Sequence, residues 1–185
     1  MKIMAFVGSS RKDGNTAKIV GAICKGAMES GHEVDIYNLA EMNHQGCMAC
    51  DACQLEKVDC CSISDPLTEL LPEIAKADCL IVGTPIYMLQ VSGVTKNFLD
   101  RLRPFLRPDL TAKHLPGKKY ITVTCSGAPA AAFRHVTEYL NQFFGYFGME
   151  NAGSIIAGNL KERDDIMRQF EILERAEEMG GKMKG

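Results

Sequence analysis

Short apolar runs alternate with amphipathic stretches along most of the chain. Residues 3–7, 79–83, 120–125 and 154–157 are continuous apolar runs bounded by Gly or polar residues, which is typical of strands buried on both faces. Residues 33–37 (EVDIY) alternate polar and apolar positions and predict an edge strand. Helices are predicted between these runs at residues 15–30, 66–76, 92–103, 130–147 and 161–179. The alternation predicts an α/β fold with a doubly wound parallel sheet.

Two of the predicted helices begin with recognisable signals. Asn15 or Thr16 is expected to cap the first helix. Asp65 precedes Pro66, and proline is favoured in the first turn of a helix. These signals place the start of each helix directly after a loop.

Composition adds limits on partners and location. The hydrophobic fraction is 46%, the charged fraction is 24% and the formal net charge is −2, so nothing indicates a nucleic-acid partner. The opening MKIMAFVGSS is too short in apolar residues for a signal peptide or membrane span. We therefore expect a cytoplasmic protein without a membrane partner, in which thiols stay reduced. No linker or repeat divides the chain, so one domain is expected over residues 1–185, with a cysteine-rich loop insertion at about 44–65.

A hydroxyl- and glycine-rich loop, GSSRKDGNTAKIV at residues 8–20, follows the first strand. Such a loop leading into a helix N terminus suits an anion, because free N–H groups and the helix dipole point toward it. It is neither a Walker A loop, since its glycines are one residue too far apart, nor a G-x-G-x-x-G fingerprint. An ordinary turn capped by Asn15 is the alternative. The candidates for binding a terminal phosphate are Ser9, Ser10, Arg11, Asn15 and Thr16.

Two further loops are expected at the same edge of the sheet, at residues 83–101 (GTPIYMLQVSGVTKNFLDR) and 124–132 (TCSGAPAAA). Pro85 stiffens the first of them, and the apolar residues after it offer a flat surface for a ring system. The alternative is that Tyr87 and Met88 only cover the end of the sheet. The candidates for binding a ring are Thr84, Pro85, Ile86, Tyr87, Met88, Ser126 and Gly127.

Five of the eight cysteines lie in GCMACDACQLEKVDCC, residues 46–61. Cys47, Cys50 and Cys53 are spaced C-x2-C-x2-C, and Cys60 or Cys61 follows after six or seven residues. A wrapping loop of this kind can supply four thiolates to a [4Fe–4S] cluster. Zinc sites more often use two separate C-x2-C pairs, and redox-active or incidental thiols are a further alternative.

The remaining candidates for metal binding are interpreted as structural. Cys24, Cys79 and Cys125 fall in predicted helix or strand positions, where cysteine packs as a small apolar residue. His44 lies three residues before Cys47 and is expected to be a solvated loop histidine. None of these four residues is added to the predicted ligand set.

The segments GSSRKDGNT, GTPIY, SGVTKNFLDR and CSGA, in this order and spacing, resemble the NADPH-dependent FMN reductase group of flavodoxin-like proteins over roughly residues 1–160. With the cysteine block after the second strand, the chain is most similar to the iron–sulfur flavoprotein subfamily. The resemblance implies a five-stranded parallel sheet of order 2-1-3-4-5 with FMN at the strand C termini. It also implies a [4Fe–4S] cluster in the cysteine block. The residues that it implies for FMN are Ser9, Arg11, Asn15 and Thr16 for the phosphate, Pro85, Ile86 and Tyr87 for one side of the ring, and Ser126 and Gly127 for the other side.

The resemblance implies an oxidoreductase that takes electrons from ferredoxin or NAD(P)H and passes them to a small acceptor, as a homodimer or homotetramer. No acid–base side chain is expected, because the cofactors carry the chemistry. The alternatives are an FMN-only NAD(P)H-dependent quinone or azo reductase and a non-catalytic electron carrier. Arg101, Arg103 and Arg107 could dock an acidic ferredoxin, although a solvated basic face is the preferred interpretation.

Overall fold

The computed structural model describes residues 1–55 and 57–184, and its centre is a parallel sheet. The strands are β1 (Lys2–Val7), β2 (Glu33–Asn38), β3 (Cys79–Tyr87), β4 (Gln90–Val91), β5 (Lys119–Cys125) and β6 (Glu150–Ala157). The sheet runs β2-β1-β3-β5-β6, and the short β4 pairs antiparallel with the end of β3. Without β4 this is the predicted order 2-1-3-4-5, so the flavodoxin-like fold is confirmed.

Helices cover both faces of the sheet. They are α1 (Asn15–Glu29), α2 (Pro66–Lys76), α3 (Gly93–Asp100), α4 (Arg134–Tyr146) and α5 (Phe170–Gly181). Side chains of β1 alternate between two buried cores: Ile3 packs with Ile19 of α1, whereas Phe6 stacks on Phe98 of α3 with ring centroids 4.4 Å apart. The continuous apolar runs of the strands follow from burial on both faces.

Several helix boundaries differ from the prediction. The segment at residues 161–169 is not α-helical; it holds a 3-10 turn at Asp165–Arg168, and α5 begins at Phe170. Residues 130–133 also form a 3-10 turn, so α4 begins at Arg134. The helix predicted at 92–103 begins at Gly93 and ends at Asp100, and a separate 3-10 turn follows at Arg103–Phe105.

The capping predictions have different outcomes. Gly14 caps α1 with extended backbone and no side-chain hydrogen bond, so the prediction that Asn15 or Thr16 caps the helix is wrong. The prediction for α2 is confirmed, because Asp65 is its N-cap and accepts from the Thr68 N–H at 3.0 Å. The first turn of α1 therefore keeps its N–H groups free of a capping side chain.

The loops after β1 and β3 are held together at the C-terminal edge of the sheet. The Gly8 N–H donates to the Gly83 carbonyl oxygen at 2.7 Å, and Ser92 Oγ donates to the Gly8 carbonyl oxygen at 2.6 Å. A Cβ atom at Gly8 would lie 1.8 Å from Thr95 Oγ1, so only glycine allows this approach. The contact fixes the first loop against α3.

Between β2 and α2, the described residues form neither helix nor strand. This segment carries the five clustered cysteines, and it leaves the sheet at the same C-terminal edge as the loops after β1 and β3. Within residues 1–55 and 57–184, no helix combines the length and apolar character needed to cross a membrane.

Candidate functional site

The loops after β1, β3 and β5 enclose a cavity of about 220 Å3 at the C-terminal edge of the sheet. A segment after β6 forms part of its wall. The lining residues are Ser9, Arg11, Gly14, Asn15, Thr16, Pro85, Ile86, Tyr87, Cys125, Ser126, Gly127, Leu160 and Lys161. The cavity thus combines one polar end at α1 with one largely apolar end at β3 and β5.

The polar end is suited to a phosphate group. The first turn of α1 has no capping side chain, so its N–H groups and the helix dipole are available to an anion. The side chains of Arg11 and Lys161 bring two cations to the same cavity. Ser9 is buried, and its Oγ accepts from the Arg11 N–H at 3.1 Å, which folds the loop around this end.

The Asn15 side chain, at the cavity, also bonds to the segment after β6. Its side-chain amide donates to the Glu162 carbonyl oxygen at 2.7 Å and accepts from the Ile166 N–H at 3.1 Å. These bonds fasten the segment after β6 to the start of α1, which explains why residues 161–169 do not form the predicted helix. Asn15 still lines the cavity, with its backbone and the second hydrogen of its side-chain amide free of these two bonds.

The apolar end is built from the ends of β3 and β5. Pro85, Ile86 and Tyr87 form one wall, and the Tyr87 side chain is half exposed at the mouth. Ser126 and Gly127 lie on the β5 side, where Ser126 Oγ donates to the Ala128 carbonyl oxygen at 2.8 Å. Cys125 is buried there, and burial raises its pKa to about 12, so the thiol is neutral.

Three predicted residues do not line the cavity. Ser10 is exposed on the loop, and Met88 is 94% exposed with a left-handed backbone. Thr84 is fully buried, and its hydroxyl accepts from the Ser92 N–H and from Thr95 Oγ1, both at 3.1 Å. Thr84 therefore stabilises the loop after β3 from the buried side, without lining the cavity.

Four lining residues were not among the predicted binding residues: Gly14, Cys125, Leu160 and Lys161. Leu160 and Lys161 follow β6, whose C-terminal end meets the same edge of the sheet. Their place after the last predicted strand is the sequence signal for both residues, although the predicted helix at residues 161–179 includes Lys161.

A second, narrow cavity lies in the cysteine-rich loop. The thiols that line it belong to Cys47, Cys50, Cys53 and Cys61, and its wall includes Arg101 and Arg103. Cys60 does not line it, although Cys60 and Cys61 both pack at the edge of a hydrophobic core. The structure thus distinguishes the two adjacent cysteines, between which the sequence left the choice open.

The base of the cysteine loop is anchored by a buried ion pair. The Arg101 side chain is 1% exposed, and its terminal nitrogens donate to the two Asp65 carboxylate oxygens at 2.7 and 3.0 Å. Arg101 also donates to the Gln45 carbonyl oxygen at 2.9 Å, and Asp65 accepts from the Gln45 N–H at 3.0 Å. Burial by itself raises the pKa of Asp65, but the hydrogen bonds from Arg101, Gln45 and Thr68 hold it well below its usual range.

The prediction that three arginines form a solvated basic face is therefore wrong for Arg101, which is buried in an ion pair. Arg103 is partly exposed and donates to Asp51 of the cysteine loop at 2.7 Å. Arg107 donates to the Ala112 carbonyl oxygen at 3.0 Å in an exposed turn. The three side chains do not form one solvated surface.

The cysteine loop has further features of a binding segment. Ala49 and Asp51 adopt left-handed backbone conformations, which are costly for residues other than glycine and are common at functional sites. A hydrogen bond with Ser62 lowers the pKa of Cys50 and favours its thiolate. Gln54 is buried and donates to the carbonyl oxygens of Arg103 and Leu106 at 3.1 and 3.2 Å. The loop is thus tethered at several points.

The four thiols that line the cysteine cavity are suitable ligands for an iron–sulfur cluster, but the space between them is small. Within residues 1–55 and 57–184, no three side chains of His, Cys, Asp or Glu converge as the ligands of a single ion. The cysteine cavity measures only about 20 Å3, so a multi-atom cluster requires the thiols to move apart. Two buried arginine Nε atoms at this cavity, in Arg101 and Arg103, have no hydrogen-bond partner among the described residues, which suits a group that presents acceptors there.

The remaining cysteines and His44 lie away from the cysteine cavity. Cys24 and Cys79 are fully buried, and burial raises the pKa of each to about 12. His44 is half-buried, and its Nε2 lies 3.3 Å from the Val94 carbonyl oxygen, so the prediction of a solvated histidine is wrong. Packing of these residues agrees with their assignment outside the ligand set.

Comparison with known proteins decides the family. Residues 1–160 match the family of NADPH-dependent FMN reductases. The chain belongs to this family. Membership confirms the prediction of a flavin-dependent oxidoreductase, and FMN is the flavin of the family.

Individual relatives agree with this assignment. An iron–sulfur flavoprotein of Archaeoglobus fulgidus is 29% identical over 189 residues, covering 99% of this chain and 79% of the relative. A second iron–sulfur flavoprotein from the same organism is 37% identical over 103 residues, or 56% of this chain, and the match spans only 49% of that relative. These similarities confirm the resemblance to iron–sulfur flavoproteins.

A solved structure shows the same fold. It is an FMN-dependent NADH-azoreductase from Bacillus anthracis in complex with FMN, with a TM-score of 0.77 and 13% identity, covering 98% of this chain and 99% of the azoreductase. The similarity supports the flavodoxin-like architecture described above.

Proposed function

We propose that this chain is an electron-transfer oxidoreductase that binds FMN and a [4Fe–4S] cluster and couples a one-electron donor such as ferredoxin to reduction of a small acceptor. A flavin exchanges electrons singly or in pairs and a cluster exchanges them singly, so together they connect the two kinds of partner. Residues 1–185 would form one flavodoxin-like domain with the cluster in the insertion at about 44–65. A cytoplasmic location would keep the thiols reduced.

The observation that carries this proposal is the placement of two cavities at opposite ends of α3. Ser92, the N-cap of α3, donates to Gly8 at the start of the loop that lines the larger cavity. Arg101, the C-cap, lines the cysteine cavity. An eight-residue helix is about 12 Å long, at about 1.5 Å per residue. One short, rigid element would thus hold both cofactors.

The residues around the larger cavity have separate proposed roles toward FMN. The N terminus of α1, with Ser9, Thr16, Arg11 and the newly found Lys161, would bind the phosphate. Pro85, Ile86 and Tyr87 would lie against one side of the ring. Ser126 and Gly127 would lie on its other side.

The proposed ligands of the cluster are Cys47, Cys50, Cys53 and Cys61. We choose Cys61 over Cys60 because Cys61 shares the cavity with the other three thiols. Burial, with the nearby Asp59 carboxylate, raises the pKa of Cys60, which disfavours the thiolate that binds iron.

The donor, the acceptor and the assembly are parts of the same proposal. Ferredoxin or NAD(P)H would be the donor, and a small molecule would be the acceptor. At about 220 Å3 the larger cavity is smaller than ordinary ligand pockets of roughly 300–1,000 Å3. Tyr87, Met88 and Leu89 are exposed apolar residues at or beside its mouth, which suits completion of the site by a second copy in a homodimer or homotetramer.

Cofactor content tests the proposal. Protein purified without oxygen would be assayed for iron, sulfide, zinc and flavin, with an absorption spectrum before and after dithionite. The proposal predicts about four irons and one FMN per chain and a broad visible band that bleaches on reduction. FMN without iron would leave an FMN-only quinone or azo reductase, the activity class to which the matched azoreductase belongs. Zinc in place of iron, or absence of turnover with every acceptor, would favour a non-catalytic protein.

A further inference from the structure

Two buried guanidinium N–H groups lie at the cysteine cavity without an acceptor. In residues 1–55 and 57–184, three buried side-chain nitrogen or oxygen atoms lack a partner: Nδ1 of His44 and Nε of Arg101 and Arg103. Both arginines line the cysteine cavity, whereas His44 does not. A buried N–H without an acceptor costs free energy, so two at one place call for a common cause.

Both arginines are already held through their terminal nitrogens. The terminal nitrogens of Arg101 donate to Asp65, Gln45 and Thr68. Arg103 donates from Nη2 to Asp51 at 2.7 Å. Each guanidinium is therefore held by a carboxylate that offsets its charge, and its Nε–H is left over as a directional donor.

We propose that Arg101 and Arg103 are positioning residues for the cluster, each donating from Nε to a sulfur atom held in the cysteine cavity and thereby raising the reduction potential of the cluster. This inference rests on the proposed function. Hydrogen bonds to cluster sulfurs help to set the reduction potential of iron–sulfur centres. Reduction adds negative charge to the sulfurs, so a charge-assisted donor stabilises the reduced form more than the oxidised form.

Lysine substitutions separate the donor from the charge. Lysine keeps a positive charge for the carboxylate partner but has no N–H group at the Nε position. Arg103→Lys is the main variant, because its ion pair with Asp51 is partly exposed and the fold should tolerate the change. Arg101→Lys is the second variant. Arg107→Lys is the matched control, because Arg107 lies in an exposed turn and does not line the cysteine cavity.

The experiment is an anaerobic redox titration of each protein as purified with its cofactors, followed by the EPR signal of the reduced cluster. Iron content is measured first. At the potential where the native cluster is half reduced, Arg103→Lys should lower the ratio of reduced to oxidised cluster about tenfold, which is about 59 mV for a one-electron couple. Arg101→Lys should shift the potential in the same direction, and Arg107→Lys should leave it unchanged.

The outcomes separate this inference from the proposed function. An unchanged potential in Arg103→Lys with full iron, or an equal shift in Arg107→Lys, would overturn the inference alone. If Arg101→Lys does not fold, Arg103→Lys still decides the question. Native protein that contains no iron would overturn the proposed function and the inference with it.

Discussion

Replacing Asp65 with asparagine tests the buried ion pair that anchors the cysteine loop. Asparagine keeps the N-cap of α2 but removes the charge that balances Arg101, whose side chain is 1% exposed. Removing one partner of a buried pair costs about 3–5 kcal/mol. Domains of this kind have about 5–15 kcal/mol of stability in total, so Asp65→Asn should lose a large part of it.

Equilibrium unfolding in urea measures this loss. The control is Glu73→Gln, also in α2, because Glu73 pairs with Lys2 and Lys76 while 37% exposed, and solvent-screened pairs contribute little to stability. A loss below about 1 kcal/mol for Asp65→Asn would refute the reasoning.

The pH dependence of the stability of the same variant is a second test of the ion pair. Burial by itself raises the pKa of Asp65, but the hydrogen bonds from Arg101 and two N–H groups hold it well below its usual range. A carboxylate with a lowered pKa contributes its full stability above its unfolded pKa, about 3.9, and loses it as the pH falls further. The difference between native protein and Asp65→Asn should therefore be constant near neutral pH and narrow below about pH 4.

Four other substitutions probe the two cavities. Cys61→Ser should abolish or sharply reduce bound iron while Cys60→Ser retains it, as measured by iron and sulfide assays; the reverse order would contradict the ligand assignment. Gly8→Ala should destabilise the protein by about 1–3 kcal/mol and weaken flavin binding, because the added methyl would lie 1.8 Å from Thr95 Oγ1. Urea unfolding measures the loss of stability, and a flavin titration measures the loss of affinity. A variant with the stability and flavin affinity of the native protein would contradict the close contact at Gly8. Lys161→Ala should raise the Kd for FMN about tenfold, because a charge-assisted contact with the phosphate is lost. Quenching of flavin fluorescence measures the Kd, and an unchanged value would show that Lys161 does not bind FMN.

The regular part of the fold follows closely from the hydrophobic pattern. The strand at residues 79–83 and its neighbours are apolar on both faces because each lies between two helical layers, so each stands out in the sequence as a short, continuous apolar run. The start of α2 was equally readable, because Asp65 and Pro66 act locally. Local capping signals and the hydrophobic pattern are therefore sufficient to predict most of the helices and strands.

The misjudged features depend on partners distant in the sequence. Asn15 bonds to residues 147 and 151 positions later, and this contact keeps the segment after β6 from forming a helix. Arg101 is buried because Asp65, 36 positions earlier, neutralises it, whereas the sequence offered only three neighbouring arginines. The choice between Cys60 and Cys61 likewise depends on how the loop folds back on α3. Periodicity carries no information about such pairings.

The most direct test of the two-cofactor account is anaerobic stopped-flow reduction of the flavin by reduced ferredoxin, in native protein and in Cys61→Ser. Reduced ferredoxin should bleach the flavin of the native protein rapidly. A Cys61→Ser variant that keeps FMN but lacks iron should accept electrons from ferredoxin far more slowly, although dithionite still reduces its flavin. Equal rates in the two proteins would contradict the account, because the cluster would then lie outside the path of the electrons.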